Sequence, residues 1–202
     1  MKQYCIVVLF ALFVTKPAVA DSLRSCAVTA IDGPSVQVFR AGQARGAMVG
    51  DPVANADRIV TGPETRVVIT CDDAMRVVLA GGTDIDVGTL NGASASESYA
   101  ARMVRGLAGF ILPLVGARRF QVRTPSAVAS VRSTEWLVEV KEGATAVFVR
   151  EGGVAVYSAG EDAVLEPGEG IDVTATGEAG PIKSWGQGRV DAMAARLGAG
   201  WR

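Results

Sequence analysis

The 202-residue sequence contains no histidine. Histidine is the commonest general base and metal ligand, so its absence removes the usual catalytic triads and most transition-metal sites. Carboxylates remain, and the clusters to consider are Asp72 with Asp73 and Asp84 with Asp86. Asp84 and Asp86 would share one face of a strand and could offer oxygens to Ca²⁺, but no glycine-spaced calcium loop surrounds them. The sequence predicts a non-enzymatic chain with no cofactor and no metal site.

Neither sign of charge is in excess, because 20 Lys and Arg face 21 Asp and Glu. A nucleic-acid partner needs a basic patch, which this even distribution does not provide, so we expect no nucleic acid. Aromatic residues are scarce, at 6% of the chain. That scarcity argues against a deep sugar-stacking cleft, although three tryptophans leave a glycan partner open. Trp136 begins an alternating strand and is predicted to be core, whereas Trp185 beside Gly186 is a candidate exposed contact.

A hydrophobic run with the pattern of a targeting segment lies at the N-terminus. Lys2 precedes an apolar stretch over Ile6–Val14, and Ala18-Val19-Ala20 is a small-residue cleavage pattern. The apolar run stops at Lys16, well short of the roughly 20 residues that a spanning helix needs. We therefore predict a signal peptide over residues 1–20, a periplasmic or secreted protein, and no integral membrane span after cleavage. Cleavage removes two of the 20 basic residues and no acidic one, which leaves a net charge of about −3.

Cysteine is nearly absent from the exported part of the chain. Cys5 leaves with the signal peptide, so Cys26 and Cys71 remain as an even pair. In an oxidising compartment this pair predicts a disulfide, which the chain-entropy model values at roughly 4 kcal/mol for a loop of this length. Two buried free thiols are the alternative. A lipid-modified Cys26 is disfavoured by the charged Arg24.

Strand signals dominate the chain from Arg123 to Val173. Apolar residues alternate at Trp136, Val138 and Val140 and resume after the turn at Glu142-Gly143, and further glycine-bearing turns follow at roughly ten-residue spacing. Period-two alternation of this kind predicts an all-β protein, an antiparallel sandwich or jelly-roll-like fold with two similar β halves. The expected division is a first β half over 21–93, a connector over 94–116, a second β half over 117–176 and a C-terminal tail over 177–202.

Two segments resemble each other: VLAGGTDIDV over 78–87 and VLEPGEGIDV over 164–173. Each places apolar residues before a glycine-bearing turn and an apolar-Asp-apolar triplet after it, which is a hairpin pattern. A structural repeat at equivalent corners of two β layers and coincidence between two Val-rich hairpins both explain the similarity.

The connector is the least β-like stretch. Ser94 and Glu97 form a capping-box pattern, and apolar residues then fall at helical spacing, so a short helix is predicted over 94–107. The apolar run Phe110–Val115 follows, either as a core strand or connector or as a partner-docking patch. In the C-terminal tail, one or two helical turns around Val190–Leu197 are expected, after which the chain should fray.

The block TPSAVASVRSTEW, followed by EGGVAV and EPGEG, resembles the FecR domain, and a second matching pattern before it extends the resemblance over about residues 30–175. Ser133, Ala56 and Ala74 stand where the family prefers glycine, and Trp136 where it prefers phenylalanine. The family-signature positions are Thr124, Pro125, Val131, Arg132, Thr134, Glu151, Gly152 and Gly168. Arg132 is either a candidate contact residue or a structural arginine paired with a nearby acid such as Glu135 or Glu151.

This resemblance implies a β domain that works by protein contact in the cell envelope. FecR-like proteins relay a signal from an outer-membrane receptor to a sigma factor through a transmembrane helix and a cytoplasmic segment, neither of which we expect here. The expected function is therefore an exported binding or signalling module with an envelope protein partner. A carbohydrate or cell-wall binding protein is the alternative, and a subunit of a secretion assembly is a third option.

Overall fold

A computed structural model describes residues 26–71, 74–89, 99–113, 119–132 and 134–201. Within these ranges it contains strands, one α-helix, α1 (Gln187–Leu197), and a 3₁₀ helix (Gly198–Trp201). The strands are β1 (Cys26–Asp32), β2 (Val36–Arg40), β3 (Gln43–Gly46), β4 (Pro52–Val53), β5 (Arg58–Thr61), β6 (Arg66–Cys71), β7 (Arg76–Leu79), β8 (Asp84–Thr89), β9 (Tyr99–Ile111), β10 (Arg119–Arg123), β11 (Val128–Arg132), β12 (Glu135–Lys141), β13 (Ala144–Glu151), β14 (Val154–Tyr157), β15 (Asp162–Leu165), β16 (Glu169–Val173) and β17 (Lys183–Ser184).

Alternation in the sequence becomes alternation in burial. In β6, Val67, Ile69 and Cys71 are buried while the residues between them are partly exposed. Tight turns separate neighbouring strands, and the loop between β12 and β13 has only the two residues Glu142 and Gly143, with φ values of +52° and +82°. Two positive φ values are typical of the type I′ turn, whose twist matches that of a hairpin. The prediction of a mostly β chain is confirmed.

The strands form one mixed, hydrogen-bonded sheet that does not close on itself. Its pairings follow two series. Ladder 1 runs β4-β1-β6-β7-β9-β12-β13-β16-β17. Ladder 2 runs β3-β2-β5-β8-β9-β10-β11-β14-β15. The described pairs are antiparallel except β9 with β10, which is parallel.

Strand β9 belongs to both ladders. Its first part pairs with β8 and β10, and from Gly106 onwards it pairs with β7 and β12. Gly106 has φ +101°, and a Cβ there would lie 2.4 Å from the Cα of Thr83, so only glycine fits this position. The chain changes ladders at this residue.

The predicted helix over 94–107 is wrong in its described part, residues 99–107, which lie in β9; residues 94–98 lie outside the described residues. In β9, buried Ala101 and Met103 alternate with exposed Arg102 and Val104, which is the period of a strand. Spacings of three and four residues also occur in this stretch, and pairing with four neighbouring strands decided between the two patterns.

The larger core collects inward-facing side chains from both ladders. The ring centroids of Phe110 and Trp136 lie 4.9 Å apart, and those of Phe110 and Phe120 lie 5.2 Å apart. Trp136 is completely buried, as predicted. Of the apolar run over 110–115, Phe110 is likewise a fully buried strand residue, which favours the core-strand interpretation there. Residues 114 and 115 lie outside the described residues.

A second core lies on the opposite face of ladder 1, where α1 and the 3₁₀ helix pack against the sheet. Leu107, Leu137 and Phe148 of the sheet meet Leu197 and Trp201 of the C-terminal helices. Gly109 permits this close approach, because a Cβ at that residue would lie 2.3 Å from the Cδ1 of Trp201. The expectation that the C-terminus frays is wrong, since α1 has 11 residues and Trp201 is only 1% exposed.

The two similar segments over 78–87 and 164–173 are not hairpins. The first leads from β7 in ladder 1 to β8 in ladder 2, and the second leads from β15 in ladder 2 to β16 in ladder 1. Both place a glycine of positive φ at the matching position of the corner, Gly82 at +73° and Gly168 at +86°. The hairpin prediction is therefore wrong, and both segments form corners between ladders.

Over the described ranges, we find no helix with the length and apolar character needed to cross a membrane.

Candidate interaction surfaces

The two cysteines of the predicted exported chain form a disulfide. Cys26 and Cys71 are directly opposite each other on β1 and β6, and their sulfurs are 1.98 Å apart. The predicted pairing is confirmed. Disulfides form and persist mainly in oxidising compartments, so the bond is consistent with a protein that functions outside the cytoplasm.

The signature residue Thr124 organises the turn between β10 and β11. Its Oγ1 accepts a hydrogen bond from the amide of Ala127 at 2.9 Å and shares one with Oγ1 of Thr145 at 2.7 Å. Ser126 shares a second hydrogen bond with the same Thr145 hydroxyl, also at 2.7 Å. No base is part of this hydroxyl cluster, so it lacks the activation that a nucleophile needs. It ties the turn to β13.

Further signature residues also hold loops and strands in place. Val131 is 3% exposed, and the hydroxyl of Thr134 donates to the carbonyl of Gly153 at 3.2 Å. Gly152 has φ +80° in the loop between β13 and β14, where a residue with a Cβ would be strained. Glu151 lies opposite Glu135 and is exposed.

Pro125 is exposed in the turn between β10 and β11. The backbone of Arg132 ends β11, but its side chain and the whole of Ser133 lie outside the described residues. The two interpretations of Arg132 therefore both remain predictions.

Of the candidate carboxylates, Asp84 is held in an ion pair with arginine, and so is the buried Asp57, which was not a candidate. Asp84 accepts two hydrogen bonds from Arg58, both at 2.7 Å, and these bonds hold the pKa of Asp84 below its ordinary value. Burial raises the pKa of Asp57, but hydrogen bonds from Arg40 and from the amide of Ala54 outweigh it, so the net pKa is lowered. Carboxylates that are paired with arginine and have a lowered pKa are poor general acids at neutral pH, because they carry no proton to donate.

Asp86 uses its Oδ1 to accept a hydrogen bond from the amide of Gly88, in the manner of a turn aspartate. Asp72 and Asp73 lie outside the described residues. Among the residues that are described, no three side chains of the metal-binding types come together as a set of ligands.

A groove of about 650 Å³ runs between α1 and ladder 1, and we call it the C-terminal groove. Its lining includes Phe148, Arg150, Trp185, Gln187, Asp191 and Trp201. The expectation that Trp185 is exposed is wrong, because only 8% of it is accessible. Its ring stacks on Phe148 with centroids 5.3 Å apart, and the guanidinium carbon of Arg189 lies 3.4 Å from its centroid.

Glycine is the reason why Trp185 can lie so close to the sheet. A Cβ on Gly170 would lie 2.3 Å from the Nε1 of Trp185, so the ring packs directly on the backbone of Gly170. Trp185 directly follows β17, and its ring packs against Gly170 of β16. A candidate contact through this side chain is therefore limited to the edge that lines the C-terminal groove.

Polar groups in and beside the C-terminal groove are already bonded to one another. Arg150 donates from Nη1 both to Glu135 and to the carbonyl of Trp201, each at 2.9 Å. Gln187 donates to Asp191 at 2.8 Å. The groove offers aromatic edges and a few shared hydrogen-bonding groups rather than an uncompensated charge.

The outward side of ladder 2 is a second surface, which we call the open face. It consists of the side chains of β2, β5, β8, β9, β10, β11, β14 and β15 that point away from the larger core. Arg102, Val104, Arg123, Tyr157 and Val164 are all exposed on it. Sequence reasoning missed this surface, although the alternation in ARMVR and RFQVR placed each arginine on the outer side of its strand.

The family comparison identifies a FecR domain. The model of the family described as FecR protein matches residues 57–155. A comparison with curated proteins finds no match.

Two solved structures are similar to this chain, both described as crystal structures of a candidate anti-sigma factor from Parabacteroides distasonis ATCC 8503, at 1.65 Å and 2.50 Å resolution. Each has 28% sequence identity and a TM-score of 0.57, and the similarity covers 67% of this chain. The match spans 63% and 62% of the respective solved chains. The resemblance found in the sequence is confirmed over residues 57–155, which are a FecR domain.

Proposed function

We propose that the chain is an exported signalling module that acts by contact with another protein of the cell envelope. The FecR domain over residues 57–155 carries this proposal, because FecR and anti-sigma factor proteins are a non-enzymatic family. The described carboxylates point the same way, since Asp57 and Asp84 are neutralised by arginine. A β-rich scaffold with an exposed outer face and no activated nucleophile or base in its described part is suited to binding.

Export is the second part of the proposal. The disulfide between Cys26 and Cys71 supports an oxidising compartment, and the charged, apolar and small-residue regions of residues 1–20 support a signal peptide. FecR domains are periplasmic in FecR-type proteins, which favours the periplasm over secretion. Mass spectrometry of the protein from the native envelope tests this point. A mature N-terminus at Asp21 is expected, and an intact N-terminus in the cytoplasmic fraction would contradict it.

The proposal includes an arrangement of the fold, namely that the two ladders stack as the layers of a sandwich. Phe110 pairs within ladder 1 and Phe120 within ladder 2, and their rings are in contact at 5.2 Å. Buried side chains from both series also form one cluster. Face-to-face packing with alternating inward residues is the arrangement that produces such a shared core.

A competition pull-down tests the protein-contact proposal. The purified chain with its disulfide intact is immobilised and incubated with a solubilised native envelope fraction, with and without an excess of untagged chain. A near-stoichiometric envelope protein that the untagged chain displaces is the expected result. A reduced and alkylated sample that has lost its fold serves as the control for non-specific capture. Recovery of no displaceable protein would contradict the proposal.

Carbohydrate binding is the second candidate function, and the C-terminal groove is the observation that favours it. Edges of Trp185 and Trp201 line this groove together with hydrogen-bonding groups of Gln187, Asp191 and Arg150, a combination suited to a sugar. The low exposure of both rings weighs against it, because a sugar stacks on an accessible ring face.

Calorimetric titration with soluble cell-wall fragments separates the two functions. Binding that is lost in Gln187→Ala and kept in the control Arg45→Gln would support the glycan candidate. Gln187 is exposed and its replacement should leave the melting temperature nearly unchanged. Absence of any heat of binding would remove the glycan candidate and leave the protein-contact proposal standing.

A further inference from the structure

We propose that the open face of ladder 2 binds an acidic segment of a protein partner in an extended conformation across β9, β10, β11, β14 and β15. The inference rests on the proposed function and names the surface and the chemistry of the contact. Two neighbouring arginines at one end of the face, which form no ion pair with a described carboxylate, and a groove with exposed Tyr157 and Val164 at the other carry it.

Strand register places the arginines side by side. Arg58 is opposite Asp86, Asp86 is opposite Arg102, and Arg102 is opposite Arg123 on the parallel strand β10. These four residues therefore form one row across the strands on the open face. Residues opposite each other on neighbouring strands have Cβ atoms about 5 Å apart. The row concentrates three positive charges and one negative charge within four strands.

The carboxylates of the face neutralise only part of this charge. Asp84 is occupied by Arg58 in a two-bonded ion pair, and Asp86 accepts from the amide of Gly88. No carboxylate among the described residues forms an ion pair with Arg102 or Arg123. Two like charges directly opposite each other destabilise a sheet, so this pair opposes folding rather than supporting it. An anionic partner would relieve that repulsion.

From Arg123 this row continues to Val128, Tyr157 and Asp162, and a groove of mixed polarity lies along the neighbouring row of the same face. From Gln121 the register leads to Ser130, Ala155 and Val164 on the next three strands. A groove of about 460 Å³ is lined by these residues and Tyr157. Val164 is 68% exposed and Tyr157 is 44% exposed, which is unusual for side chains of this size at the edge of a sheet. The groove offers a place for an apolar side chain next to the arginine pair.

The combination favours a protein segment over other anions. A lipid headgroup or a phosphate would need only the arginines, whereas the exposed Tyr157 and Val164 beside them fit a segment that carries both acidic and apolar side chains. Arginine and tyrosine are also the residue types that are enriched where proteins contact one another. Strands lie about 4.8 Å apart, so the distance from β9 to β15 is roughly 19 Å, which about six extended residues span.

A defined peptide tests the chemistry without knowledge of the partner. The probe is a fluorescent peptide of ten residues with four glutamates at one end and leucine and phenylalanine at the other. Its control has glutamines in place of the glutamates. Fluorescence anisotropy with the whole purified chain should show saturable binding of the glutamate peptide, weakening as salt is raised, and at least tenfold weaker binding of the glutamine peptide.

Matched variants locate the binding. Arg102→Gln with Arg123→Gln removes the two neighbouring arginines, and Arg45→Gln with Arg66→Gln removes the same charge from residues that already have partners, Asp51 and Asp32. The first double variant should lose at least tenfold in affinity while its melting temperature stays at or above that of the unchanged chain. Equal losses in both double variants, or none in the first, would overturn the proposal. Stronger binding to anionic phospholipid vesicles than to the peptide would overturn it in favour of a headgroup.

A site-specific crosslinker keeps this proposal separable from the proposed function. A photoreactive residue replaces Val164 in the open face or, as control, Ile182, which is 41% exposed elsewhere. An envelope protein crosslinked from position 164 and not from position 182, and lost in the arginine double variant, is the expected result. If the competition pull-down recovers a partner but position 164 does not crosslink to it, the open-face proposal fails and the proposed function stands. A crosslinked dimer of this chain as the sole product would also overturn the proposal.

Discussion

Two alanines have a backbone conformation that glycine adopts more easily, so replacing them with glycine should stabilise the protein. Ala56 and Ala74 both have φ +64°, in the left-handed region. They are the two positions at which the sequence departs from the glycine of the FecR pattern in its first half. Both side chains are exposed, so Ala56→Gly and Ala74→Gly remove no packed methyl group.

Two opposing effects set the magnitude. The left-handed conformation costs an L-residue roughly 1–2 kcal/mol, and glycine escapes this cost. Glycine also makes the unfolded chain more flexible, which opposes folding by about 0.4–1 kcal/mol. We therefore expect a net gain of about 0.5–1 kcal/mol for each replacement. For a chain of this size, each kilocalorie corresponds to roughly 2–4 °C in melting temperature.

Urea unfolding and thermal melting of the oxidised protein measure the effect, with Ala192→Gly as the control. Ala192 is an exposed residue inside α1, where glycine should destabilise by about 1 kcal/mol. The three variants make the same chemical change, and only the backbone conformation differs. If Ala56→Gly and Ala74→Gly lower the melting temperature as Ala192→Gly does, the explanation from left-handed strain is refuted.

Three further changes test other parts of the fold. Gly106→Ala should destabilise by well over 2 kcal/mol or prevent folding, because its Cβ would collide with Thr83; a melting temperature within 2 °C of wild type would contradict the ladder switch. Trp201→Ala should cost about 3–5 kcal/mol by urea unfolding, and a loss below 1 kcal/mol would show that the C-terminal helices do not pack on ladder 1. The lowered pKa of Asp84 adds stability that is present above its unfolded value of about 3.9 and is lost as the pH falls through the folded pKa, so the cost of Asp84→Asn should shrink in acid. Unfolding curves of wild type and Asp84→Asn that stay equally separated from pH 7 down to pH 2 would exclude a role for the ion pair with Arg58.

The strands of the second half are the part of the fold that local sequence predicted best. From Trp136 onwards, each apolar residue at an alternate position is an inward residue of a strand, and Glu142-Gly143 forms the hairpin turn. These features depend on neighbours within a few positions, because side-chain alternation and turn conformation are local properties. The FecR pattern also consists of such turns and strand starts, so it could be recognised from the same residues.

Strand β9 shows where local patterns were insufficient. Its sequence fits helical spacing as well as alternation. Pairing with β7, β8, β10 and β12 decided in favour of a strand, and some of these partners are far away in sequence. Likewise, no local feature of the sequence predicted that the rings of Trp201 and Trp185 would pack on Gly109 and Gly170. A glycine that accepts a distant aromatic ring looks the same in sequence as a glycine in a turn.

The sequence by itself determined the β class, the FecR assignment, the disulfide pair and the absence of histidine chemistry, because composition, spacing and short-range periodicity carry that information. Only the tertiary structure decided that β9 links two ladders, that the C-terminal helix covers one face of ladder 1, and that Arg102 and Arg123 lie side by side on the open face. Those outcomes depend on register between strands that are far apart in the chain. Register is fixed when the whole core packs, so no short stretch of sequence contains it.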